Sequence, residues 1–375
     1  MCGIVGYIGH REASQFLIEG LRRLEYRGYD SSGVAAIDSS GSLSVTKTQG
    51  RIDNLVARLA EEPVAGKIGV GHTRWATHGQ PSDENAHPHI GGPDVLAIVH
   101  NGVIENYQQI KERLASEGYE FRSATDSEII GHLISDALKK NAPSASNGAP
   151  QAGGAAGTYA PLVEAVQQAI SQLRGTYGIV ALFREHPDVL ICARLGSPMV
   201  IGVGEGEHFI ASDATPMVGH TEKIVYLADH EIAVITRDTL QVMHRDQGHV
   251  EHAIHALEQD GDSVSLGGYA HYMLKEIHEQ PQSLRNAMRG RLSDDDATAV
   301  FGGLNLGTQQ LRQVDRIILT ACGTSWHAAL VGEYVIEELA GIPVEVEYAS
   351  ELRYRNPPIG DKTLVFAITQ SGETA

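Results

Sequence analysis

The sequence is short of cysteine: Cys2, Cys192 and Cys322 are the only three in 375 residues, an odd number at wide spacing. No C-x-x-C pair is present, which excludes the usual thiolate-zinc and dithiol motifs, and no disulfide framework is indicated. Basic charge is scarce as well. There are 29 Lys+Arg against 47 Asp+Glu, a formal net charge of −18. A nucleic-acid binder needs a basic stripe to neutralise phosphates, and none is visible, so that class is set aside. Small anionic substrates stay open, because one arginine or a helix N-terminus can hold an anion inside an acidic protein. No apolar run approaches the roughly 18–20 residues of a membrane span. The opening MCGIVGYIGH has no basic segment ahead of its short apolar stretch, so no secretory signal is read. The expected address is the cytoplasm, with neither membrane nor nucleic acid as partner.

At roughly 100–200 residues per domain, the length predicts about two domains. Residues 2–245 read as one strand-rich domain. GIVGYIG opens it as an apolar strand, and Phe16, Leu17, Gly20, Leu21 and Leu24 then share one helical face. Strands are expected at 32–38, 67–75, 94–102, 176–183 and 189–194, and in a hairpin-like series from PMVIGVG to EIAVITRD. Helices are expected at 51–59, with Ile52, Leu55, Val56 and Leu59 inward, at 106–116, and after TDSE (125–128), where Thr125 or Asp126 would cap. The stretch 142–161 is rich in Ala, Gly, Pro and Ser without apolar periodicity and reads as a surface loop.

From 246 to 306 the texture is helix and linker. Beyond 307, RIILT, a helix from Trp326, GIPVEVEYASEL and TLVFAIT alternate strand with helix, the pattern of a parallel α/β sheet. Ala375 follows a Gly-containing turn where a helix is due, so this second domain is expected to be incomplete.

Cys2 is the second coded residue and stands directly before a strand. Removal of Met1 would put a thiol and a free α-amine on one residue. An α-amine has an ordinary pKa near 7.7–8.0, so much of it is neutral at cellular pH and can serve as base for its own nucleophile. The bland account is a small buried hydrophobe. Other segments add to the first reading. HTRWATHG (72–79) contains Arg74, whose planar fork suits a carboxylate. In HNGVIENY (100–107), Asn101 offers a side-chain amide and Gly102 allows close backbone approach, which together suit an oxyanion hole. Asp126, at a helix start, could accept from an ammonium group. Singly these are a turn, a cap and a surface charge. Together they suit attack on the side-chain amide of an α-amino acid.

MCGIVGYIG, LEYRGYDSSG, HTRWATHG, HNGVIENY and SATDSE resemble the class II glutamine amidotransferases, in detail the branch that aminates fructose 6-phosphate with isomerisation. The resemblance implies an α+β fold: an N-terminal-nucleophile hydrolase αββα sandwich, followed by the start of a parallel-sheet SIS domain. It implies Cys2 as nucleophile with Asn101 and Gly102 as oxyanion hole. Arg74, Thr77, His78 and Asp126 would hold L-glutamine, Trp75 would gate the departing ammonia, and Arg27 would order the N-terminal strand. The full-length family is homodimeric, and its product is glucosamine 6-phosphate.

ACGTSWHA (321–328) and TQSGET (369–374) both follow strands and offer hydroxyls beside helix N-termini, a natural seat for phosphate. They resemble the family's sugar-phosphate loops, with Thr324, Ser325, Gln370, Ser371 and Thr374 as implied ligands of fructose 6-phosphate. The lysine, glutamate and histidine that the sugar chemistry requires have no counterpart here. This chain is therefore expected to hydrolyse glutamine without making glucosamine 6-phosphate.

The alternatives are another class II amidotransferase, such as one acting on a phosphoribosyl acceptor, or a non-catalytic sugar-phosphate-sensing module. The eighteen histidines invite a metal site. His249, His252 and His255 step around an expected helix with no cysteine or paired carboxylate nearby, so neither metal nor cofactor is assigned there or to His87 and His89.

Overall fold

The computed structural model describes residues 2–25, 28–76, 78–141, 157–245, 248–250, 252–257, 268–288, 292–293, 298–299 and 306–369. The chain divides into two compact units, Met1–Asp260 and Gly261–Ala375.

In the first unit β1 (Gly3–Ile8) sets the plan. All six residues are buried because the strand is covered on both faces. Ile4 and Ile8 point into the core between two sheets, and Val5 and Tyr7 into the core under a helix, as the two-residue repeat of a strand requires. β1 pairs antiparallel with β4 (Ile68–Arg74), and β4 with β2 (Ser31–Ile37), which is followed at the edge by β3 (Leu43–Gln49). On the other side lie β10 (His208–Ala211), β9 (Val200–Val203), β11 (Lys223–Tyr226) and β15 (His255–Ala256), giving eight strands. A seven-stranded sheet faces it. Its order is β14 (Gly248–His249), β13 (Leu240–His244), β12 (Glu231–Ile235), β8 (His186–Leu195), β7 (Gly175–Phe183), β6 (Leu96–Ile104) and β5 (His89–Gly91).

Helices cover the outer faces. α1 (Ala13–Leu24) buries Phe16, Leu17, Gly20, Leu21 and Leu24, the expected face, and α2 (Ile52–Glu61) joins it over the first sheet. Over the second sheet lie α3 (Tyr107–Ser116), α4 (Glu128–Asn141) and α5 (Ala160–Ile170). The result is the four-layer αββα sandwich. Ala97, Val99, Val180, Leu182, Leu190 and Ala233 of one sheet meet Ile4, Ala35, Val70 and Ile210 of the other. Each fully buried leucine or isoleucine there contributes roughly 1.5–3 kcal/mol relative to exposure.

Several expectations need correction. Val56 is 36% exposed, because α2 turns only Ile52 and Leu55 fully inward. β3 went unread: its Lys47, Thr48 and Gln49 are tolerated because it is an edge strand. The helix α5 went unread too, although Leu162, Val163, Val166 and Ile170 make one buried stripe; the aperiodic run ahead of it masked the pattern. His249 and His255 are not on a helix; they stand exposed in β14 and β15, which belong to different sheets.

In the second unit, strands Val344–Tyr348, Arg316–Ala321 and Thr363–Ile368 form a parallel sheet in that order. The helix Thr324–Ala340 crosses from the central strand to the first edge strand, and Ile317, Leu319, Ala329 and Val344 form the core. No helix among the described residues is long and apolar enough to cross a membrane.

Candidate active site

Strands of both sheets deliver this site. Cys2 stands one residue ahead of β1, and Gly3 pairs with Thr73 near the end of β4, so Cys2 lies beside the exit of β4. The Trp75 N–H donates to Cys2 Sγ at 3.4 Å, and the Trp75 carbonyl oxygen is 3.6 Å from the same sulfur. β6 reaches Cys2 from the opposite sheet: Asn101 Nδ2 donates to the Cys2 carbonyl oxygen at 3.3 Å. Gly102 follows with φ of 130°, and a Cβ built there would lie 2.1 Å from the Thr176 carbonyl oxygen of β7. Only glycine fits the strand at this point.

Arg74 is buried at the end of β4. Its Nη2 donates to the carbonyl oxygens of His78 and Gly79, the latter at 3.0 Å, which holds those two residues against the guanidinium. Its Nη1 is buried and has no partner among the described residues. A carboxylate is the ligand that such a half-used fork accepts. Asp126 is also buried; its Oδ2 accepts from the Ile104 N–H at 2.8 Å, and its Oδ1 lies 3.9 Å from His78 Nδ1. Its carboxylate therefore ties the end of β6 instead of capping α4. His78 stands edge-on to Tyr107, ring centres 5.3 Å apart. Trp75 is 46% exposed and meets Tyr29 edge-on at 5.4 Å.

Residues that the sequence did not single out complete the frame. The Asp30 N–H donates to the Arg74 carbonyl oxygen at 3.1 Å, and its carboxylate accepts from the Ala76 N–H and from the Ser31 hydroxyl, pinning the Arg74–Ala76 turn. An aspartate before a serine pair in GYDSSG was the available signal. His72, His87, His89 and His100 are all buried. His72 and His87 stack with ring centres 4.1 Å apart, and His89 follows at 4.4 Å from His87. Burial pushes the His72 ring down to about 3 and holds His87, His89 and His100 below the ordinary histidine value. Burial thus favours the neutral form of all four imidazoles.

Thr77 and Arg27, and Gln370, Ser371 and Thr374 of the second unit, lie outside the described residues. In that unit Gly323 precedes the long helix with φ of 61°, and Thr324 and Ser325 are its first residues. Both hydroxyls therefore sit within the first helical turn, at the carboxyl end of the central parallel strand, instead of in a cap ahead of the helix.

Two families of known proteins match the chain: a glutamine amidotransferase domain over residues 72–219 and a SIS domain over residues 310–375. The chain is 47% identical over 378 residues to a protein of Chlorobaculum tepidum named glutamine–fructose-6-phosphate aminotransferase [isomerizing], covering 100% of this chain and 59% of that one. It is 46% identical to the protein of that name from Bacteroides thetaiotaomicron, covering 58% of it. The chain therefore spans less than two thirds of the length of these relatives. Among solved structures, the glutamine phosphoribosylpyrophosphate amidotransferase from B. subtilis, complexed with ADP and GMP, is similar with a TM-score of 0.52 at 21% identity, over 96% of this chain and 71% of that one. That likeness bears on the fold. With a glutamine amidotransferase domain and a SIS domain matched in that order, the chain is similar from end to end to proteins named glutamine–fructose-6-phosphate aminotransferase [isomerizing].

Proposed function

We propose that this chain hydrolyses the side-chain amide of L-glutamine at Cys2 and supplies the ammonia to fructose 6-phosphate, in a protein that makes glucosamine 6-phosphate. The observation that carries the reading is the meeting of Cys2, Asn101, Arg74 and Asp126 from separate strands and a helix start, with Arg74 Nη1 unpartnered among the described residues. Glutamine's α-carboxylate pairs with Arg74, and its ammonium faces Asp126, with His78 and Thr77 completing the grip. The Cys2 thiolate adds to the amide carbon, and the Asn101 Nδ2–H and Gly102 N–H steady the oxyanion. The C–N bond then breaks, the nitrogen leaves as ammonia after taking a proton, and water cleaves the γ-glutamyl thioester to glutamate. With Met1 removed, the α-amine of Cys2 is the base that takes the thiol proton and returns it.

Trp75, whose backbone meets the sulfur and whose side chain is half exposed, would control where ammonia goes, and Arg27 would order the N-terminal strand. Thr324, Ser325, Gln370, Ser371 and Thr374 would hold the sugar phosphate. The same reading makes the working protein a cytoplasmic homodimer acting on small molecules. The test is glutamate release from glutamine by the chain and by Cys2→Ala. Activity that survives the substitution overturns the proposal.

A further inference from the structure

His72 opens the HTRWATHG segment, yet nothing above gives it a task. It lies on β4, fully buried, with its ring directed at β6 of the opposite sheet. His72 Nε2 is 3.1 Å from the His100 carbonyl oxygen and 3.1 Å from Asn101 Oδ1. A carbonyl oxygen only accepts, so the nitrogen facing it carries the hydrogen. The atom of Asn101 that shares this hydrogen must then be an acceptor, its Oδ1. The other end of the amide, Nδ2, faces the Cys2 carbonyl oxygen, again an obligate acceptor. Both ends of the Asn101 side chain are thus specified by their neighbours.

We infer that His72 is a positioning residue: its Nε2–H holds Asn101 Oδ1 so that the Asn101 Nδ2 donor is kept turned toward Cys2, where its carbonyl oxygen now accepts it. The inference rests on the proposed role of Asn101 beside Cys2. The physical need for such a clamp is plain. The terminal torsion of asparagine is broad and roughly two-fold, so an unclamped amide rotates freely. A reversed amide would set Oδ1 against the Cys2 carbonyl and present an acceptor where negative charge develops, which repels it. A preorganised donor is worth far more than one that must reorient during the reaction. The ring is suited to the task because it stays neutral. Its Nδ1 is buried without a partner among the described residues, and burial, with the charge of Arg74 and the nearby His100 ring, holds its proton affinity down. A charged imidazole would place a second hydrogen on Nδ1 with nothing to receive it.

The experiment measures kcat and KM for glutamine hydrolysis in the whole chain. His72→Phe keeps a ring and removes the donor; His72→Gln restores an N–H at nearly the same reach. The expected result for His72→Phe is a kcat lower by about 10–100-fold with KM within about 2-fold, and for His72→Gln a kcat within about 3-fold of the parent. In an Asn101→Ala background the same His72→Phe change should alter kcat by less than about 2-fold, since the clamp has nothing left to hold. Full activity in His72→Phe, failure of glutamine to rescue, or a full additional loss in the Asn101→Ala background each overturns the inference. Nitrogen NMR of histidine-labelled parent protein reads the same point without any substitution. The inference requires His72 protonated on Nε2 and not on Nδ1 from pH 8 to pH 5.5, and the opposite tautomer or a charged ring defeats it. Cys2→Ala that still releases glutamate overturns the proposed function, while the NMR outcome still decides the His72–Asn101 clamp.

Discussion

Asn101 and Cys2, 99 positions apart, are joined by a hydrogen bond of 3.3 Å from the side-chain amide of one to the backbone carbonyl of the other. The contact bridges the two sheets at the mouth of the sandwich. It places the only amide donor of β6 within reach of the only cysteine that stands at a strand entrance, since Cys192 is buried between the sheets.

Removing the thiol is the most direct check on that relationship. Cys2→Ala should lower glutamine hydrolysis by at least ~10³-fold while leaving the unfolding midpoint nearly unchanged, since Cys2 is only half-buried. Glutamate release and a urea titration on the same preparations measure both.

Loss of the amide donor should act on the chemical step. Asn101→Ala is expected to lower kcat by about 10²–10³-fold, with a smaller change in KM, as for other single oxyanion donors. An unchanged kcat would remove Asn101 from the mechanism.

Arg74 should act on binding instead. Its Nη1 has no partner among the described residues and its Nη2 holds the His78 and Gly79 carbonyls, a division of labour that a lysine cannot reproduce. Arg74→Lys is expected to raise KM for glutamine by about 10–100-fold, with kcat within a few-fold.

At Gly102 the backbone itself is constrained. With φ of 130° and the Thr176 carbonyl oxygen 2.1 Å from any added Cβ, Gly102→Ala should cost about 2 kcal/mol or more of unfolding free energy. A denaturant titration with an unchanged midpoint would contradict the strand geometry.

The buried histidines give the fold a pH dependence of predictable sign. His72, His87, His89 and His100 have lowered proton affinity when folded and regain the ordinary value near 6.5 when unfolded. Below that value the unfolded chain binds more protons, so stability is full above about pH 6.5 and falls as pH drops toward 3, the value for His72. Each such histidine adds a slope of up to about 1.4 kcal/mol per pH unit. Urea midpoints from pH 7.5 to pH 4.5 should therefore fall steeply, and more shallowly in His72→Gln.

What the sequence by itself determined is what periodicity and local chemistry encode. The inward face of α1 and the apolar strand β1 follow from apolar spacing, and the parallel sheet of the second unit from strands alternating with a helix. The candidate residues Cys2, Arg74, Asn101 and Asp126 follow from motifs in which each type suits one part of an amide's chemistry. The apolar spacing of α5 was present too, but the low-complexity run ahead of it hid the stripe, and β3 lacked a stripe because an edge strand buries little.

Only the tertiary structure decided which groups meet. Asp126 reads locally as a helix cap, but its carboxylate accepts from the Ile104 N–H at the end of β6, a partner 22 positions away. Asp30 and His72 look like an ordinary turn residue and an ordinary strand histidine. Their roles arise from partners 44 or more and 28 or more positions away, Arg74 and Ala76 for one, His100 and Asn101 for the other. Hydrogen bonds across a sandwich depend on register between strands that are distant in the chain, and that register is set by the packing of whole sheets, which no local pattern records.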